Sequence, residues 1–428
     1  MYKFLSGVTM VLMLTAVSKA PGQEPMPPRR FDVRSLGATG NGTVKDTAAF
    51  QKAFDACAAG GGEVVVPAGN YLIGSVVIGS HTTLRLEKGA ALAGSPDADD
   101  YPLLQARWEG RLRECHRALL CASNATQIAI VGPGSIEGNA ALGNLRNPRG
   151  PCLVEPVECQ DVVLDGFSTQ FVRLWSIHLV FCDGVVARNL TIRSRRNNGD
   201  GIDVDSCRHV RIEHCDIDTG DDAIALKSGR GTEGARMGRP TEEVVITNCI
   251  LGSAFAGVAI GSELSGGIRH VVMEDCVFTS GANSIFIKSR DDRGGSIEDI
   301  QGKNLDCRAS TFLVIDLLDK GIKDEEPVTG LAGLTQARGL SFSHIKVNVQ
   351  TLLDAHLLSP EQPLDGLSLA DVTGVCRRAI HLANLRNASL RDIHVTGYNG
   401  AFLTLTNATG PGLDKITAPE DTFTHPTR

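Results

Sequence analysis

Three aspartates in two short segments are the residues best suited to do chemistry. Asp200 lies in Asn198-Gly199-Asp200-Gly201-Ile202-Asp203, and Asp221 and Asp222 lie in Gly220-Asp221-Asp222-Ala223-Ile224. Carboxylates that converge within roughly 5–10 Å repel, and the repulsion raises at least one pKa. One group can then hold a proton while another stays ionised. Glycosidic hydrolysis needs that division of labour: an acid for the leaving oxygen and a base for water. A run of turn and strand residues separates Asp200 from Asp221, so only the fold can bring them together.

The elements that must position them repeat along the chain. From about residue 125 onward, an alternating β-branched run, a small polar residue, an apolar residue and a second alternating run recur. The polar marker falls at Gly166, Asn189, His214, Asn248, Asp275, Asn304, His344, Asp371 and Asp392, with spacings of 23, 25, 34, 27, 29, 40, 27 and 21. A period in the twenties with loop insertions is the signature of a β-solenoid. Period-2 alternation rejects helical repeats. The sequence therefore predicts an all-β parallel β-helix, and the resemblance given below implies that it is right-handed.

Residues one coil apart stack at about 4.8 Å in such a fold, so the repeat maps neighbours. Aligning the second strand of each coil puts Ile202/Ile224/Val258/Ile285 and Val204/Leu226/Ile260/Ile287 in aliphatic columns facing inward. Asp203/Ala225/Ala259/Phe286 and Asp205/Lys227/Gly261/Lys288 then face outward, and Ser206/Ser228/Ser262/Ser289 forms a structural ladder. Asp200 and Asp222 share a column, with Asp221 beside them. Periodicity alone does not give the faces of Asp200 and Asp222, because Gly199 and Gly220 signal turns that reset alternation. As solvated turn residues the acids would be inert, with Asp205 pairing Lys227. Alternatively Asp200, Asp203, Asp205, Asp216 and Asp218 could supply oxygens to calcium, although no EF-hand spacing is present.

The ends differ. Residues 1–20 read as a secretory signal peptide, with Lys3 before an apolar stretch from Phe4 to Val17 and a small-residue site at Ser18-Lys19-Ala20. That stretch is shorter than the ~20 apolar residues that span a bilayer. Residues 21–30 read as a flexible tail, and 31–428 as one solenoid domain. Thr47 to Cys57 reads as a helix N-capped by Asp46, covering the open end of the stack. The last hundred residues keep the repeat more weakly.

The composition fits this reading. The 428 residues carry 42 Lys+Arg against 49 Asp+Glu, a net charge of −7, which argues against nucleic acid or an anionic membrane as partner. With 47 Gly and 5% aromatic residues, the core must be layered from aliphatic side chains between frequent turns. Export would expose the 12 cysteines to oxidation. Cys115/Cys121 and Cys152/Cys159 are candidate local bridges, whereas Cys215, Cys249 and Cys276 read as stacked core thiols.

On these motifs the chain resembles glycoside hydrolase family 28, the polygalacturonase group of the pectin-lyase-like parallel β-helix superfamily. The segments that carry the likeness are Phe31-Asp32-Val33-Arg34-Ser35-Leu36-Gly37-Ala38, Val66-Pro67-Ala68-Gly69, Gly132-Pro133-Gly134-Ser135-Ile136-Glu137-Gly138, Trp175-Ser176-Ile177-His178 and the two aspartate blocks. The resemblance implies an inverting hydrolase of pectic polysaccharide or oligosaccharide that uses no cofactor. It implies Asp221 as general acid and Asp200 with Asp222 as the water-activating pair. Lys288, Asn198 and Lys227 become substrate-binding candidates, with Asn198 supporting Asp200. Two positions depart from the family: Ala256 stands where it has histidine, and Phe286 where it has arginine. Phe286 could stack on a sugar face or pack under a loop. Trp175 and His178 read as structural, Arg195, Arg196, Arg290 and Arg293 as surface residues, and Gly229 to Pro240 as a loop beside the acids. The implied protein is a secreted monomer, extracellular or periplasmic. A calcium-dependent lyase and a non-catalytic carbohydrate-binding protein remain alternatives.

Overall fold

The computed structural model describes residues 29–413 except 144, 146, 172 and 173. The segments read as signal peptide and most of the N-terminal tail lie outside the described residues. Among those described, no helix is long and apolar enough to cross a membrane.

Parallel strands stack coil upon coil into a right-handed β-helix with three ladders per turn. The first ladder runs through Gln160–Asp165, Asp183–Arg188, Arg208–Glu213, Thr241–Thr247 and Ile268–Glu274, in the register Val185↔Val210↔Val244↔Val271. The second runs through Ser168–Gln170, Thr191–Ser194, Asp216–Thr219 and Ile250–Ser253. The third runs through Ile177–Val180, Ile202–Asp205, Ile224–Lys227, Ala256–Ile260, Asn283–Lys288 and Thr311–Asp316. Its register is Ile202↔Ile224↔Val258↔Ile285, with Asp203↔Ala225↔Ala259↔Phe286 beside it. These are the columns the repeat predicts. The aliphatic ones are fully buried, because each strand has one face in a continuous core that only neighbouring coils can close.

The polar markers have a backbone cause. All nine adopt positive φ, from 50° at Asp371 to 84° at Gly166. This left-handed turn joins the first ladder to the second. Gly, Asn and Asp tolerate it because they lack, or can offset, the Cβ clash. The marker's N–H continues the ladder, as in Asn189 N to Glu213 O at 3.2 Å and Asn248 N to Glu274 O at 3.2 Å.

Helix α1 (Thr47–Ala58) covers the N-terminal end with Ala49, Phe50, Ala53, Phe54 and Cys57 buried on one face. Asp46 precedes it but does not cap it through its side chain. Its carboxylate instead accepts from Thr39 N at 2.7 Å and Gly40 N at 3.0 Å, tying down the chain before the helix. Among the described residues the pattern continues as far as Ala408: Gln336–Leu357 and Leu364–Arg386 are the longest of the described strands and pair in parallel.

All twelve cysteines are free, so neither candidate bridge forms. Cys115 and Cys152 both flank the buried Arg149 guanidinium, and Cys159 contacts Cys182 one coil away. Cys215, Cys249 and Cys276 do stack as buried thiols.

Candidate active site

The third ladder leads into the acids. Gly201 N donates to Asp222 O at 3.0 Å and Ser176 N to Asp200 O at 2.9 Å, so Asp200 and Asp222 occupy adjacent coils in register. Gly220 is required there, because a Cβ would collide with the Arg196 carbonyl oxygen. One carboxylate oxygen from each of Asp200, Asp221 and Asp222 falls within 4.8 Å of the others. All three line a cleft of about 250 Å³. The two faces that periodicity left open are thus settled: Asp200 and Asp222 point to the cleft, not the core.

The three carboxylates differ in surroundings. Asp200 and Asp222 are buried and Asp221 is half-buried. Asp221 accepts from Asp222 N at 3.0 Å and Asn198 N at 3.2 Å. Asn198 therefore braces Asp221 through its backbone, not Asp200 as expected. Burial, reinforced by Asp203, pushes Asp200 well above the usual carboxylate range. Burial also raises Asp222 against the opposing pull of Lys288. Each keeps one buried oxygen without a hydrogen-bond partner, an orphan acceptor that a substrate hydroxyl or attacking water would satisfy.

The lysines are engaged. Lys288 Nζ lies 2.8 Å from Asp222 Oδ2, with side chains 12% and 3% exposed. Lys227 lines the cleft with its side chain buried and already paired, so it is not a free substrate contact. Its Nζ is 3.3 Å from Glu263 and 3.6 Å from Asp203, and it lies over the Trp175 ring at 4.8 Å. Burial alone would raise Glu263, but Lys227, Arg293 and Lys288 hold it down at about 2. Asp203, buried beside Lys227, is pushed well up by desolvation. The expected Asp205–Lys227 pair is absent, since Asp205 takes Arg107 at 3.1 Å.

Other residues bound the cleft without a warning from the repeat. An antiparallel hairpin, Leu103–Trp108 with Arg111–His116, projects from the solenoid. Its turn is Glu109-Gly110, both at positive φ (48° and 77°). A two-residue x-Gly turn between alternating segments was the available signal. The hairpin delivers Glu109 to the cleft and Trp108 onto Trp175 at 4.3 Å. Trp175 is 3% exposed, which fits packing. His178 is fully buried, its Nδ1 2.8 Å from Glu155, which also takes Arg149 at 3.0 Å.

The opposite wall is pinned by buried Asp324, which meets Arg111, Arg230 at 3.1 Å and Arg293 at 3.6 Å. Arg293 is therefore an interior ion-pair residue, not a surface one. Arg195 is exposed and pairs Asp218. The predicted loop from Gly229 to Pro240 contains a short helix, Gly231–Met237. Phe286 packs on Ala225, Ala256 and Ala259 and meets Phe255 at 5.6 Å. A groove of about 530 Å³ shares Glu109, Asn198 and Ile322 with the cleft and extends it. The five-acid calcium set does not assemble, because Asp205, Asp216 and Asp218 are each taken by a separate arginine.

Comparisons with known proteins bear on the family and the fold. The family model of glycosyl hydrolases family 28 matches residues 58–373. A Vitis vinifera protein named "Probable polygalacturonase" is 35% identical over 285 residues, 62% of this chain and 58% of the relative. The exo-poly-alpha-D-galacturonosidase of Dickeya chrysanthemi is 26% identical over 331 residues, 65% and 55% respectively. The chain thus spans a little over half the length of these curated relatives. Among solved structures, an exopolygalacturonase from Thermotoga maritima superposes with a TM-score of 0.69 at 24% identity, covering 91% of this chain and 94% of that one. A family 28 exopolygalacturonase from Yersinia enterocolitica gives 0.72 at 21%, covering 90% and 78%. These likenesses show the shared fold.

Proposed function

Because the chain belongs to glycosyl hydrolases family 28, we propose that it hydrolyses glycosidic bonds of pectic polysaccharide or oligosaccharide. The observation that carries this reading is the convergence of Asp200, Asp221 and Asp222 within 4.8 Å at the floor of a cleft. Asp221, the least buried of the three, protonates the leaving glycosidic oxygen. Asp222 and Asp200 take the proton of the attacking water. Burial raises both carboxyls; Lys288 and Lys227 oppose that rise at Asp222, and Lys227 opposes it at Asp200. Such closely coupled groups titrate as a set, so one proton is shared until substrate fixes it on the acid.

The carboxylates are closer than the ~6.5–9.5 Å usual for inverting pairs. Inversion here means that water enters beside the buried pair while Asp221 works from the cleft side. The protein acts as an exported monomer in this reading, which N-terminal sequencing of exported protein and sedimentation would check. The central test is Asp221→Asn. Loss of a general acid lowers the rate by about 10²–10⁴-fold, and circular dichroism should be unchanged. Near-native release of reducing ends by that variant would remove Asp221 from the mechanism.

A further inference from the structure

Among the described residues, each lysine that lines the cleft already has a carboxylate partner. Lys288 is fixed on three sides: Asp222 at 2.8 Å, the Phe255 ring at 4.6 Å and the Phe286 ring at 5.6 Å. Moving it toward a substrate carboxylate would strip buried Asp222 of its partner, which is costly in a desolvated site. Lys227 is bound just as firmly by Glu263 and Asp203. Lys320, at the rim, pairs Asp316 at 3.3 Å. Against these three lysines the cleft sets five acids, three of them the proposed catalytic aspartates, the others Glu109 and Glu263. Among the described residues a uronate would therefore meet only lysines that already have a carboxylate partner, with Asn198 and Ser262 as the neutral polar groups of the cleft.

The wall beside Lys288 offers something else. Phe255 is 36% exposed and backed by Phe286, which is 4% exposed. The two rings lie 5.6 Å apart at 48°, and Phe286 rests on a floor of Ala225, Ala256 and Ala259. This is an apolar surface opening to water beside the acids, the kind of face that takes the C–H side of a pyranose ring or a methyl group.

We infer that the sugar unit seated against the Phe255–Phe286 wall is uncharged, either a neutral sugar or an esterified uronate. This deepens the proposed hydrolase function and rests on it for the identity of the cleft. The Lys288–Asp222 pair then stays intact through binding, and the wall discriminates by desolvation rather than by charge.

The test uses full-length Asp221→Asn protein in calorimetric titrations with three probes. These are a free-acid galacturonate oligomer, its methyl ester, and a rhamnogalacturonan oligomer that presents neutral rhamnose. The expected result is that the ester or the rhamnose-bearing oligomer binds at least ~10-fold tighter than the free acid. That affinity should hold from about 50 mM to about 0.5 M salt, where screening would weaken a charge-driven complex. Whichever of the two binds identifies the source of the uncharged unit. Adding Phe255→Ala should weaken that binding at least ~5-fold without shifting the thermal midpoint. Equal or tighter binding of the free acid, no binding of either uncharged oligomer, or indifference to Phe255→Ala overturns the inference. The hydrolase reading fails separately, if wild-type protein releases no reducing ends from a ligand that the Asp221→Asn variant binds.

Discussion

Replacing Lys288 with methionine removes the counter-ion of the proposed base and leaves a side chain of similar length. The pair is 2.8 Å apart and both partners are largely buried. At an effective dielectric near 20 the attraction is about 6 kcal/mol. Breaking a buried pair by deleting one partner typically costs about 3–5 kcal/mol, so about 3 kcal/mol is a reasonable lower figure with the cleft open to water. At about 1.36 kcal/mol per pKa unit, this raises Asp222 by roughly two units. The sign follows from the role: Asp222 must be ionised to accept a proton, so the ascending acidic limb of kcat/KM moves to higher pH by about that amount. Well below the shifted limb the loss approaches about 100-fold, and above it the rate recovers. Reducing-end assays across pH on wild type, Lys288→Met and Lys288→Arg would measure it, with the arginine variant holding the limb near its original place. A limb that stays put while KM alone rises would refute the argument, because Lys288 would then serve substrate and not Asp222.

Three further outcomes follow from the same structure. Asp200 is buried with its carboxyl raised, so wild-type stability falls as pH climbs from about 4, the unfolded value, toward the folded one; Asp200→Asn should flatten that fall and raise the thermal midpoint at pH 7 by a few degrees while abolishing hydrolysis. Asn248 holds φ at 53°, so Asn248→Ala should cost about 1–2 kcal/mol in chemical denaturation and Asn248→Gly far less. Proton NMR of early product should show the anomer opposite to that of the cleaved bond; retention would mean that one of the closely spaced carboxylates attacks the sugar directly.

The solenoid was legible because its information is local and repeated. Each coil carries its own alternation and its own left-handed marker, so aligning Ile202, Ile224, Val258 and Ile285 in the sequence gives the register found in the structure. The acid cluster inherits that legibility, since Asp200 and Asp222 are one coil apart in the same column. Asp46 shows the limit even nearby: its position before the helix was evident, but its carboxylate turns back to Thr39 and Gly40.

What surrounds the acids was decided elsewhere. The Glu109 hairpin, the Asp324 knot with Arg111, Arg230 and Arg293, and the capture of Asp205 by Arg107 join segments far apart in the chain. No period relates these segments, because, Asp205 apart, which lies in the third ladder, they lie outside the repeating strands of that ladder. Likewise, the column told where Lys227 and Lys288 emerge but not what they meet. In a desolvated cleft a charge takes whichever opposite charge the neighbouring loops bring within reach. The repeating backbone thus fixed the positions of the carboxylates, while packing between non-repeating loops chose their ionic partners.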